Sequence, residues 1–156
     1  MKIRWKTLIG AIAIPLAVGG LSALLTMSSM EKFSALNQPP LSPPGWLFPV
    51  VWSILFILMG IASYLVLNSG GSQSDITGAL KLYAIQLVFN FLWSIFFFNL
   101  ELYTFSFVWL VALFVMIAVM TYKFSKLSKP AALMIIPYLI WVAFAGYLNL
   151  GIAILN

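Results

Sequence analysis

The stretch Ala79–Tyr122 reads ALKLYAIQLVFNFLWSIFFFNLELYTFSFVWLVALFVMIAVMTY. It holds two apolar runs, Ala79–Asn99 and Tyr103–Tyr122, parted by a short turn around Glu101. An α-helix rises about 1.5 Å per residue, so about 20 apolar residues cross a hydrocarbon core of about 30 Å. Inside lipid every backbone N–H and C=O needs a partner within the chain, and a helix supplies them all. A turn this short makes the two helices antiparallel neighbours. The stretch therefore predicts a pair of membrane-crossing helices.

The same length rule, applied outward, gives three more spans: Thr7–Met27, Trp46–Leu67 and Ala131–Ile154. The expected fold class is an all-α membrane protein, a five-transmembrane-helix bundle forming a single domain over residues 1–156. Composition agrees. The chain is 63% hydrophobic and 7% charged, with mean hydropathy +1.10. Soluble domains carry about 25% charged residues, enough to cover a water-facing surface. Lys2, Arg4 and Lys6 resemble the n-region of a signal peptide. The apolar run after them is longer than a typical h-region and lacks an A-x-A site, so it is expected to remain as the first helix.

Lysines and arginines fix an expected orientation. With the N-terminus cytoplasmic, Lys2, Arg4, Lys6, Lys81, Lys123, Lys126 and Lys129 lie inside and Lys32 alone lies outside. The C-terminus is then outside, in a cell membrane. The net charge of +5 belongs to helix ends and reads as membrane topology, not as a nucleic-acid footprint.

Cysteine and histidine are both absent. That removes disulfides, thiolate chemistry, the usual zinc ligands, the usual haem ligand and the commonest general base. The three acids, Glu31, Asp75 and Glu101, all fall outside the spans. Proton-driven transport generally uses an ionisable group inside the membrane, so this chain argues against it. No metal site and no required cofactor are expected.

What remains is aromatic and amide chemistry. Gln86, Asn90, Trp93 and Phe97 share one helix face. They read either as interhelical glue or as a pocket wall with polar anchors. Trp141, Ala145, Leu148 and Asn149 share a face of the last helix, with Pro137 one turn earlier. Trp46 is placed for the interfacial belt, whereas Trp52 lies about two turns deeper. Trp52 and Trp141 are either packing residues or the walls of one cavity for a flat apolar ligand held by stacking. Gly19-Gly20 and Ala23 give small-xxx-small spacing, for packing inside the bundle or between copies. The outer loop, residues 28–45, carries Pro39-Pro40 and Pro43-Pro44-Gly45. It is extended and stiff, either a linker or a semi-rigid lid.

Several stretches resemble the translocator protein family, whose bacterial members are called tryptophan-rich sensory proteins. They are IPLAVGGLSALLT (Ile14–Thr26), FSAL (Phe33–Leu36), PPLSPPGWLFPVVW (Pro39–Trp52), LMGIA (Leu58–Ala62), QLVFNFLWSIFFF (Gln86–Phe98) and PYLIWVAFAGYLN (Pro137–Asn149). The resemblance covers nearly the whole chain. It implies a five-helix bundle, often a homodimer, that binds porphyrins such as protoporphyrin IX. Some members bind benzodiazepine-type drugs or cholesterol. The family's two pocket tryptophans match Trp52 and Trp141. Its small pocket residue in the first helix matches Ala23. Other pocket-region positions match Asn90, Trp93, Ala145, Leu148 and Asn149. A tyrosine before the loop becomes Phe33, and a pocket tryptophan of the fourth helix becomes Phe105.

The chain departs from the family pattern elsewhere. The loop pattern LxKPxWxPP reads LNQPPLSPP over Leu36–Pro44, with Gln38 for lysine and Leu41 for tryptophan. Trp109 stands where an aspartate is frequent. The tyrosine and arginine of the cholesterol pattern are missing, so cholesterol binding is not expected. The resemblance thus implies a membrane binding protein for tetrapyrroles or similar flat apolar ligands, with a sensing or stress-regulatory role. The alternatives are light- and oxygen-dependent porphyrin degradation, in which Trp52 and Trp141 would react, and passive translocation of the ligand.

Overall fold

The computed structural model describes residues 2–156, and those residues contain helices and no strands. Helix α1 spans Trp5–Thr26 and continues through a 3-10 turn, Met27–Ser29, into the short α2, Met30–Ser34. Then follow α3 (Leu47–Leu67), α4 (Gln73–Ser94), α5 (Tyr103–Leu127) and α6 (Lys129–Leu155). Five of these segments are long and apolar enough to cross a membrane. Each lies at one of the sequence-predicted spans.

The boundaries differ where polar residues extend a helix past the hydrocarbon. Helix α4 starts at Gln73, six residues before the apolar run, because the Ser72 hydroxyl caps it by accepting from the Asp75 N–H at 3.1 Å. Helix α5 runs on to Leu127. The Ser128 hydroxyl then caps α6 by accepting from Ala131 N–H at 3.3 Å, with Pro130 in the first turn. The expected loop 28–45 is shortened most. Its first third is helical, tied down by Ser29 Oγ donating to Asn99 Oδ1 at 2.6 Å and by Asn99 Nδ2 donating to the Leu25 carbonyl at 3.0 Å.

The helices pack in the order α1, α3, α6, α5, α4, and α4 closes the ring against α1 and α3. The α1–α3 crossing is close: a Cβ added at Gly60 would meet Ile12 Cα at 2.5 Å. Gly19 likewise faces the Phe56 ring, so it serves packing within the bundle, while Gly20 faces open space and Ala23 is exposed. Met59, Ile117, Met120, Phe124 and Ile135 are fully buried and fill the end of the bundle that carries most of the lysines, the basic end. At the other end, the loop end, α4 closes with a π turn, Ile95–Asn99, in which Leu100 N–H donates to Ile95 C=O at 3.0 Å. The extra residue of a π turn re-aims the side chains after it. Phe97 is buried, and Phe97 and Phe98 both meet Phe33 of α2, with ring centroids 5.8 and 5.2 Å apart.

Candidate functional site

Two polar clusters tie α4 to α6. Asn90 Nδ2 donates to the Tyr138 hydroxyl at 2.8 Å, and that hydroxyl donates to Gln86 Oε1 at 2.6 Å. One to two turns toward the loop end, Trp93 Nε1 donates to Asn149 Oδ1 at 3.0 Å. Asn149 Nδ2 in turn donates to the Tyr103 carbonyl at 2.8 Å, which brings in α5. All five side chains are buried. An unpaired amide in hydrocarbon costs several kcal/mol at the upper bound, so these bonds select one packing of α4 on α6. The amides of Asn90 and Asn149 are thus engaged as interhelical glue.

The α3–α6 seam is aromatic. Phe48 meets Trp141 edge-on at 6.0 Å between centroids, and one turn on Trp52 meets Tyr138 edge-on at 6.2 Å. Trp52 also stacks on Phe56 at 5.5 Å, and Trp141 tilts against Phe144 at 5.5 Å. The two sequence-singled tryptophans therefore lie along the same seam. The Trp141 indole N–H is buried there without a hydrogen-bond partner.

The proline segment lies lengthwise on α6. Asn37 N–H donates to Asn156 Oδ1 at 3.1 Å, and Asn156 Nδ2 donates back to Asn37 C=O at 3.0 Å. Pro39 is buried against Gly151, where a Cβ would meet the Pro39 ring at 2.5 Å. The Tyr147 hydroxyl donates to Pro40 C=O at 2.7 Å. As residue number rises from Asn37 to Phe48, its α6 partner falls from Asn156 to Trp141. The segment is a strap that descends along α6 and delivers the chain to α3, and it edges the mouth of the seam. The two prolines suit this because an extended segment docked on a helix has few free backbone donors to satisfy.

The remaining expected site residues fall in three places. Trp93 and half-buried Phe33 pack on Phe97 at the loop end, and Asn149 holds the Trp93 indole there. Ala145 and Leu148 are buried on the α6 face that carries Trp141. Ala23 is exposed on α1, outside the α3–α6 seam, and Phe105 is 49% exposed against Phe96 and Trp109 on the outer α4–α5 surface. Trp109 stacks on Phe89 at 4.2 Å and donates to its carbonyl at 2.9 Å, which explains an indole at a lipid-side position. Sequence reasoning left Tyr138, Tyr147 and Phe48 out of the site. Tyr138 was within reach, because it precedes Trp141 by three residues on the same helical face.

The TspO/MBR family model matches residues 11–155. The chain is 40% identical to "Tryptophan-rich protein TspO" of Chlorobaculum tepidum, covering 100% of this chain and 99% of that one. It is 33% identical to the "Translocator protein" of Bos taurus, covering 96% and 89%. It is 32% identical to the "Tryptophan-rich sensory protein" of Cereibacter sphaeroides, covering 100% and 95%. The match spans all five membrane helices, so this integral membrane protein belongs to the TspO/MBR family.

Proposed function

We propose that the protein binds porphyrins or similar flat apolar ligands in the α3–α6 seam, and that binding serves a sensing role. The observation that carries this reading is the buried Trp141 N–H, without a partner in a wall of aromatic rings. Gln86, Asn90 and Asn149 already have partners, and of the buried donors without one (Tyr83, Ser106 and Trp141) the indole N–H is the one in the α3–α6 seam. Trp52, Phe48 and Phe144 supply stacking surface around it. The printed name of the Cereibacter relative supports the sensing role.

Binding also requires movement. A flat ring between two others needs about 7 Å, twice the van der Waals contact distance of about 3.5 Å. Phe48 and Trp141 stand edge to face at 6.0 Å, so the ligand must displace Phe48, and with it the strap that leads into α3. This links ligand entry to a conformational change that a partner could read. The N-terminus is assigned to the cytoplasm on the lysine and arginine count, seven to one, so the seam opens outward.

Titration of protoporphyrin IX into the purified protein, followed by tryptophan quenching, tests the site. Trp141→Phe keeps a ring and removes the donor, and should weaken binding about tenfold, the worth of one buried hydrogen bond. An unchanged affinity would remove Trp141 from the site.

A further inference from the structure

At the basic end, the chain's first residues and the end of α3 flank an open recess of about 570 Å³ lined by Lys2, Ile3, Arg4 and Asn68. The recess is fixed in place. Arg4 N–H donates to the Tyr64 hydroxyl at 2.9 Å, and Tyr64 is buried, so the backbone that carries the two cations is pinned to α3. Asn68 on the far wall is held by its Nδ2 donating to Tyr64 C=O at 2.9 Å. The electrostatics are one-sided. This end carries Lys2, Arg4, Lys6, Lys81, Lys123, Lys126 and Lys129 against one acid, Asp75, in the first turn of α4. The flanks are apolar and exposed: Ile3 is 46% and Trp5 64% exposed. An indole at the start of a membrane helix sits at headgroup depth, so the recess lies where lipid phosphates are, not in bulk water.

We infer that this recess seats the phosphate of an anionic phospholipid headgroup between Lys2 and Arg4. Charges that only set orientation need no pinned backbone and no common recess. Here a buried tyrosine hydroxyl holds the pair in register with the wall formed by Asn68. Cations next to a membrane helix attract anionic lipid. A guanidinium adds two parallel donors for phosphate oxygens, which a lysine cannot. Free phosphate shares the oxyanion chemistry, but it has no use for the apolar flanks formed by Ile3 and Trp5.

Native mass spectrometry of the full chain released from detergent, loaded with dioleoyl phosphatidylglycerol or dioleoyl phosphatidylcholine, reads the seat. Wild type should retain one phosphatidylglycerol in preference to phosphatidylcholine. Lys2→Ala/Arg4→Ala should weaken that retention about thirtyfold, the worth of two juxtamembrane charges. Lys123→Ala/Lys126→Ala removes the same charge from the same end and should leave retention nearly intact. Tyr64→Phe keeps every charge and frees the pinned backbone, and should cost about threefold. Three results would overturn the inference: equal retention of both lipids, equal losses from the two double variants, or displacement of the lipid by excess inorganic phosphate. No effect of Tyr64→Phe would overturn the pinned seat and leave only diffuse attraction.

Discussion

Helices α1 and α6 are similar in length and hydropathy and opposite in packing. Both are apolar enough to span a membrane, yet 6% of the most apolar stretch is buried in the first span and 39% in α6. The difference lies in where their polar side chains go. Tyr138 and Asn149 of α6 bond to α4 and α5, and Tyr147 and Asn156 bond to the strap. Thr26, the buried polar residue of α1, returns its hydroxyl to the carbonyl of Ser22 in its own helix. Hydropathy places a helix in the membrane. Cross-helix polar bonds and close-packed glycines then decide its place in the bundle, because lipid tails compete with apolar contacts on equal terms.

Breaking the polar side of this comparison should have the largest effect. Asn149→Leu strands the Trp93 indole N–H and the Tyr103 carbonyl, and should cost about 3 kcal/mol, read by thermal unfolding in detergent. Tyr138→Phe should cost about 2 kcal/mol, since it removes two bonds but keeps the ring. Pairing it with Asn90→Leu in a double-mutant cycle should show strongly non-additive losses. If both variants melted like wild type, the claim that α6 is placed by its polar bonds would fail.

The backbone crossing of α1 on α3 comes next. Gly60→Ala forces a methyl into the backbone of Ile12 and should cost about 1–3 kcal/mol by overpacking. Gly20→Ala meets open space and should change the melting point by little. Equal losses would mean that α1 is held by something other than its crossing with α3.

How much of this was legible beforehand follows from the same physics. Five spans and the shared seam of Trp52 and Trp141 could be read because hydropathy length and helical periodicity are local. The capped start at Gln73 and the helical Met30–Ser34 could not, since they lie outside the hydrocarbon and are set by single side chains. The strap was invisible in its geometry: Asn37 and Asn156 are 119 positions apart, and nothing in the sequence pairs them. Ala23 and Phe105 came to the site by family resemblance. A matched position carries no information about how its neighbours pack, and the structure leaves both exposed and outside the α3–α6 seam.

The strap gives a smaller effect. Tyr147→Phe removes the bond to Pro40 C=O at an exposed site and should cost below about 1 kcal/mol of stability. It should also speed porphyrin association in stopped-flow quenching, because the strap must yield before Phe48 does. Slower association would reverse that order. The smallest effect is expected at Ala23. Ala23→Leu should leave porphyrin affinity within a factor of about two, because Ala23 is exposed on α1, outside the α3–α6 seam.

The most direct test is a structure of the protein with protoporphyrin IX bound. The account predicts the macrocycle in the α3–α6 seam, with Trp141 Nε1 donating to it, Trp52 on its flank, Phe48 displaced and the Trp93–Asn149 bond intact. A macrocycle seated elsewhere, or one held by Asn90 and Asn149 while Trp141 stays without a partner, would contradict it.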